Sequence, residues 1–138
     1  MKYWLLKTEP NEWSWKNQIE SGIKGSVWDG VRNYQARNNL KKMKLEDQFF
    51  FYHTGDEKKI VGIGKVIKEF FPDKKDKTGR FGSIMVRSQK SLKVPVSLND
   101  IKNQSLLAHL SLLKQSRLSV MPIDSKSWKI ICKMGRIT

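Results

Sequence analysis

The spacing of apolar and polar positions changes character several times along this chain. Lys2–Lys7 ("KYWLLK") holds an uninterrupted apolar run, which predicts a buried first strand, and Thr8-Glu9-Pro10 breaks it. Ser14 is placed to cap a short helix running through Ser21 and stopped by Gly22, with Trp15 and Ile19 four apart on one core-facing side. Ser26–Trp28 predicts a short strand ended by the turn pair Asp29-Gly30. The period then lengthens. Ala36, Leu40 and Met43 form the apolar stripe of a helix from near Asn33 to about Met43.

Gln48–Thr54 and Lys59–Phe71 predict two strands joined by a hairpin-like "GDEKK". Strand alternation puts Phe49, Phe51 and His53 on one face of the first and Phe50, Tyr52 and Thr54 on the other; one set must face the core, and the pattern leaves open which. In the second, Ile60, Gly62, Gly64 and Val66 share a face. Two bare glycines there suit either a sharp barrel bend or the close approach of a flat ligand. Pro72–Gly82 is expected to be a mobile polar loop. Ser83–Ser88 and Ser91–Leu98 predict two more strands, the latter at an edge because Pro95 cannot donate to a ladder. Asn99–Leu113 reads as mostly helical and Arg117–Ile123 as a short extended return. Lys126–Met134 reads as a last helix closed by Gly135, with Trp128 and Ile131 turned inward. Strands and helices mix without a βαβ rhythm, repeat or linker, so residues 1–138 are expected to form one α+β domain with a curved sheet or partial barrel.

Charge changes this picture most. The 138 residues carry 27 Lys and Arg against 13 Asp and Glu, a formal net charge of +14. A chain this basic repels itself unless an anion is near, and a basic domain is the electrostatic footprint of nucleic-acid binding. Arg37, Lys41 and Lys44 repeat the spacing of Ala36, Leu40 and Met43 one residue later, giving a basic flank about 100° around the same helix. No stretch approaches the roughly 18 apolar residues of a membrane span, and no helix pairs a basic face with a broad apolar one. The N-terminus lacks a signal-peptide core, so the protein is expected to be cytoplasmic, and nucleoid-associated if bacterial. Cys132 is the only cysteine, which excludes an intramolecular disulfide and a Cys-rich zinc site.

Catalytic signatures are absent. There is no Gly-rich phosphate loop, and one cysteine without a His-x-Glu excludes the zinc deaminase pattern. His109 lies in a Leu-rich helical segment and reads as a solvated or satisfied residue. His53 could serve as a base for Ser116 or Ser119, with Glu9 or Asp29 as orienter, but only by residue type. No metal, cofactor or catalysis is expected.

"YWLLKTEP" at Tyr3–Pro10, "WDGVRNYQARNNLKKMK" at Trp28–Lys44, "FFYHT" at Phe50–Thr54, "IVGIGKV" at Ile60–Val66, "FPD" at Phe71–Asp73 and "QSRLSVMPI" at Gln115–Ile123 together resemble the EVE-domain family. The resemblance runs in order along essentially the whole chain; "EWSW" stands where Tyr-Ser-Trp is expected and Thr54 where Ser is usual. It implies a PUA-like mixed β pseudobarrel of about 5–6 strands with flanking short helices. It also implies a non-catalytic reader of 5-methylcytosine or 5-hydroxymethylcytosine in DNA. The related YTH modules hold a methylated adenine of RNA in an aromatic cage. Their cage Trp follows a Gly-x-x-Trp-like strand, where "GSVW" places Trp28; "KTE" places Lys7, Thr8 and Glu9 against the base edge.

These residue types suit the task. A base taken from its stack loses a few kcal/mol, and a Trp face such as that of Trp28 restores about 1–3 kcal/mol whatever the base. Base edges supply the discrimination. The Glu9 carboxylate would accept from the exocyclic amine of a cytosine, and the Asn33 amide offers a donor and an acceptor, although Asn is equally a good helix N-cap there. The Asp29 turn holds the slot's mouth, and one of Tyr52 and His53 faces it. A second aromatic wall is sought in the Phe71–Phe81 loop. Arg32, Arg37, Lys41, Lys44 and Arg117 are expected on flanking phosphates, which position without specifying sequence. The expected partner of this monomer is nucleic acid, with DNA favoured over RNA. An RNA reader of methylated adenine or structured RNA, and an enzyme with His53 as base, are the alternatives.

Overall fold

The computed structural model describes residues 1–137. The first apolar run forms β1 (Tyr3–Thr8), which lies parallel to β3 (Gln48–His53) with Tyr3 opposite Gln48 and Thr8 opposite His53. On its other side β1 pairs antiparallel with β6 (Val120–Ile123). From β3 the sheet continues antiparallel through β4 (Lys59–Pro72) and β5 (Gly82–Ser97) to β2 (Ser26–Trp28). The six strands run in the order β2-β5-β4-β3-β1-β6, so β2 and β6 are the two edges and the sheet stays open between them. Short helices flank it. This is the α+β architecture of a PUA-like domain.

A single strand, β5, replaces the two expected at Ser83–Ser88 and Ser91–Leu98. Four register shifts along its pairing with β4 let one long hairpin bend without breaking. β2 pairs only with Ile84–Val86, so at Pro95 β5 has β4 as its one partner strand and its other side is an edge, as expected. The helix expected over Asn99–Leu113 is three short pieces: α3 (Leu98–Lys102), a 3₁₀ turn (Ser105–Leu107) and α4 (Ser111–Lys114). Ser97 and Gln104 each cap a new start, and these local side-chain bonds compete with one continuous helix. The loop expected to be mobile is organised by Asp76, whose carboxylate accepts from Thr78, Arg80 and Phe81 backbone N–H groups at 2.8–3.1 Å.

Both faces of β3 are covered, so neither side-chain set is the exposed one. Phe50 stacks on Trp128 of α5 (Ser125–Met134) with centroids 3.9 Å apart. On the opposite face the Phe49 and Phe51 rings meet the edge of Trp28 at 6.2 and 5.6 Å. Trp15, in α1 (Trp15–Glu20), packs on Phe51 at 5.0 Å. The two glycines of β4 find their reason here: a Cβ at Gly62 would run into the Trp15 ring, and one at Gly64 into Phe49. The flat groups that need bare backbone are the protein's own rings, the Trp15 indole and the Phe49 phenyl.

Trp15 and Ile19 do not share the core as expected. Ile19 is 47 % exposed, and the buried residue of that turn is Gln18. Its Oε1 accepts from Trp13 Nε1 at 2.8 Å and Ser26 Oγ at 3.0 Å, while Nε2 donates to the Val86 carbonyl at 3.3 Å. A polar side chain can be fully buried where every one of its groups finds a partner.

Candidate nucleic-acid interface

A cleft of about 640 Å³ opens where the two edges of the sheet come near each other. The end of β2 and the turn after it supply one wall, with Trp28, Asp29 and Arg32. The end of β1 and the turn following it supply another, with Lys7, Thr8, Glu9 and Trp13. The segment leading into β6 closes the third side with Ser116, Arg117 and Ser119. The volume is in the range of small-ligand sites, roughly 300–1,000 Å³.

Trp28 is 8 % exposed, braced edge-on by Phe49 and Phe51, and its remaining surface borders the cleft. No acceptor among the described residues takes its indole N–H, yet no buried side-chain nitrogen or oxygen there lacks a partner. That N–H therefore keeps some access to solvent. Trp13, half-buried, is the second indole; Gln18 holds its N–H and the Thr8 hydroxyl donates to its carbonyl at 3.2 Å.

Glu9 ends β1 in a tight turn, its carbonyl accepting from the backbone N–H groups of Glu12 and Trp13 at 2.9 and 3.0 Å. Its carboxylate lies over Gly55, where a Cβ would sit 2.7 Å from Oε2; Gly55 has φ +72°, so a side chain there is excluded twice. Glu9 forms no ion pair among the described residues and remains a free acceptor. Asn33 is the N-cap of α2 (Tyr34–Lys42), with Oδ1 accepting from the Ala36 N–H at 2.9 Å. The cap takes one of the two lone pairs of that oxygen, so the amide NH₂ is the part of Asn33 left wholly unengaged.

The cationic rim is partly engaged. Lys7 Nζ donates to the Ser116 carbonyl at 3.0 Å and sits 5.7 Å above the Tyr52 ring; burial pulls its pKa down. Arg32 pairs with the buried Asp73 at 3.1 Å, and the exposed Asp29 with Lys75 at 3.3 Å, which clamps the turn after β2 to the β4–β5 loop. Burial pushes the Asp73 carboxyl up. Donors from the Lys75 backbone, Arg32 and the Gly30 backbone outweigh this and hold it below its ordinary value. Arg117 forms no hydrogen bond or ion pair among the described side chains.

Five expected site residues lie elsewhere. Tyr52 and His53 are both buried and neither borders the cleft. His53 Nε2 accepts from the Trp15 N–H at 3.0 Å and Nδ1 meets Glu57 at 2.9 Å. With both ring nitrogens engaged away from Ser116 and Ser119, the hydrolytic arrangement is not assembled. The basic flank of α2 also turns away. Arg37 lies 4.9 Å over the Tyr34 ring and donates to the Arg80 carbonyl, and Lys41 lies 5.5 Å from Phe70. These cations settle on rings, Tyr34 of α2 itself and Phe70 and Phe81 of the β4–β5 hairpin. Lys44 is exposed beyond the end of α2 and away from the cleft. Phe81 packs beneath Arg32 at 5.4 Å and supplies no wall, so the second aromatic comes from Trp13 instead. The first Trp of "EWSW" was its only visible signal.

A second Ser, His and Asp come together outside the cleft. His109 Nε2 meets Asp124 at 2.8 Å and Ser127 Oγ at 3.1 Å. Both partners approach the same nitrogen, and Asp124 is the N-cap of α5, so the group fastens a helix start and lacks the two-sided imidazole of a catalytic triad. Among the described residues no cluster of His, Cys, Asp or Glu is placed to hold a metal, and no helix is long and apolar enough to cross a membrane.

An open mixed sheet with an indole-walled, cation-rimmed cleft at its seam defines a PUA-like ligand-binding domain. The chain belongs to the EVE domain family, whose model matches residues 2–134. It is similar to Rpa0253 of Rhodopseudomonas palustris, with 43 % identity and a TM-score of 0.94 over 99 % of this chain and 94 % of that one. It is also similar to human THYN1, solved in complex with DNA containing 5-methylcytosine, with 26 % identity and a TM-score of 0.91 over 100 % of this chain and 99 % of that one. The fold alone extends to the YTH domain of Zygosaccharomyces rouxii MRB1, solved with N6-methyladenosine RNA, with 14 % identity and a TM-score of 0.61 over 97 % of this chain and 86 % of that one.

Proposed function

We propose that this protein is a non-catalytic nucleic-acid-binding module. It holds one flipped base, 5-methylcytosine or 5-hydroxymethylcytosine of DNA, in the cleft between β2 and β1. The observation that carries the reading is the convergence on one cleft of two indoles, an unpaired carboxylate and a half-free amide. Stacking on Trp28 and Trp13 offsets what the base loses on leaving the helix, about 1–3 kcal/mol per aromatic contact. Glu9 accepts from the exocyclic amine, which thymine lacks, and the Asn33 NH₂ donates to the ring nitrogen or carbonyl. The complex of human THYN1 with DNA containing 5-methylcytosine supports this choice of ligand. The net charge of +14 favours approach to any polyanion and makes binding fall with salt.

The test is a fluorescence-anisotropy panel of otherwise identical DNA duplexes carrying cytosine, 5-methylcytosine or 5-hydroxymethylcytosine, with matched RNA competitors. The modified duplexes should bind tightest. Trp13→Ala should erase the preference while leaving weak, salt-sensitive binding, and Glu9→Ala should weaken plain and modified duplexes alike, because both carry the exocyclic amine. Equal affinity for plain and modified duplexes, or a preference that survives Trp13→Ala, rules the reading out. Tighter binding of the RNA competitor would transfer the slot to RNA.

A further inference from the structure

A second, shallower cavity of about 300 Å³ adjoins the cleft and shares three of its residues, Asn33, Ser116 and Arg117. Gln35, Lys114 and Gln115 line the rest, with buried Leu118 beneath. The first three are exposed, and among the described residues none has a side-chain hydrogen bond or ion pair. Two carboxamides and two cations are thus left unpaired around one hollow, whereas the cations on the other side of α2 are occupied with aromatic rings. Gln35 and Arg37 are separated by about 200° around the helix, so a ligand in this cavity cannot also touch the Arg37 flank. Asn39, one turn after Gln35, donates to the Val120 carbonyl at 2.7 Å and locks this face of α2 against the segment entering β6.

We propose that this cavity is the subsite for the nucleotide adjoining the held base, and that Gln35 and Gln115 read the edge of that neighbouring base. The inference rests on the base-holding reading above. A flipped nucleotide stays covalently joined to its neighbour, so the linking phosphodiester must cross the boundary between the two cavities. Arg117 stands on that boundary and Lys114 just beyond it. A carboxamide presents a donor and an acceptor side by side, the pattern that matches N7 and the exocyclic amine of adenine. The subsite therefore favours adenine beside the modified base.

The test uses the full chain and duplexes bearing one 5-methylcytosine, with each of the four bases in turn on either side of it. The parent should show a several-fold spread in Kd across neighbours, with adenine tightest on one side. Gln35→Ala with Gln115→Ala should shrink the spread below about twofold while the ratio of modified to plain binding stays unchanged. Lys114→Ala should weaken every duplex alike and lower the slope of log K against log salt by about one. Lys41→Ala should leave both unchanged. All these side chains are exposed, and equal melting temperatures will show that the variants fold. A flat neighbour profile in the parent, a spread that survives the double substitution, or an unchanged salt slope in Lys114→Ala overturns the subsite. Loss of the modified-to-plain ratio in the parent would instead overturn the base slot, and the salt slopes still judge the subsite in that case.

Discussion

Gln18 is nowhere in the cleft, yet two of its walls depend on it. Replacing it with Leu keeps the volume and burial and deletes four hydrogen bonds: those from Trp13 and Ser26 to Oε1, and those from Nε2 to Val86 and Ser21. Trp13, Ser21 and Ser26 are only partly buried, so water can replace part of what they lose, at roughly 0.5–1 kcal/mol each. The Val86 carbonyl is buried, and leaving it short of a donor costs about 1 kcal/mol or more. The sum is roughly 2–4 kcal/mol, which for a domain of this size lowers the melting temperature by roughly 6–15 °C. Because Trp13 loses its only side-chain tether, affinity for a 5-methylcytosine duplex should also fall, by less than in Trp13→Ala, where the ring itself is gone. Differential scanning fluorimetry and anisotropy on the same samples measure both. A Gln18→Leu protein that melts within about 2 °C of the parent and binds as tightly would show that these bonds do not hold the site.

The remaining predictions concern packing and protons. Trp28→Ala should destabilise by about 3–5 kcal/mol, read by urea denaturation, because Phe49 and Phe51 lose the ring they brace; Trp13→Ala, half-buried, is therefore the cleaner probe of binding. Gly62→Ala should lower the melting temperature markedly, since the new methyl meets the Trp15 ring and can only be relieved by moving α1. Burial pushes the Asp124 carboxyl up, but hydrogen bonds from His109 and Ser127 outweigh this and bring it down to about 2. Its stabilisation is complete above the ordinary value of 3.8 and is lost as pH falls from there through about 2, so Asp124→Asn should melt with a shallower acid dependence than the parent below pH 4. Burial pushes the Cys132 thiol up to about 11, against a weaker pull from Lys90, so labelling by a thiol reagent at pH 7.5 should be far slower than for a free cysteine and should accelerate on unfolding.

Much of this protein is written locally. The apolar run of β1, the caps at Ser14 and Asn33, the stripe of Ala36, Leu40 and Met43 and the close of α5 near Gly135 all appear where their spacing puts them, because each depends on neighbours within one or two turns. The family likewise shows in the order of its motifs, and it brought Trp28 and Glu9 into view. Elements whose form depends on distant partners were not legible. β5 is one strand only because bulges against β4 absorb its irregularity. Gln18 is buried only because Trp13, Ser26 and Val86 arrive to satisfy it. The same holds for the cleft. A helical repeat places Arg37 and Lys41 on one flank but cannot say what that flank meets, and Arg80, Phe81 and Phe70 of the β4–β5 hairpin take it. Sequence alone determined which side chains could stack, accept and carry charge. Tertiary structure decided which of them share a wall, because the pairing of β6 with β1 brings Lys7 to Ser116, 109 positions away, at 3.0 Å, and no periodicity along a chain encodes a contact of that span.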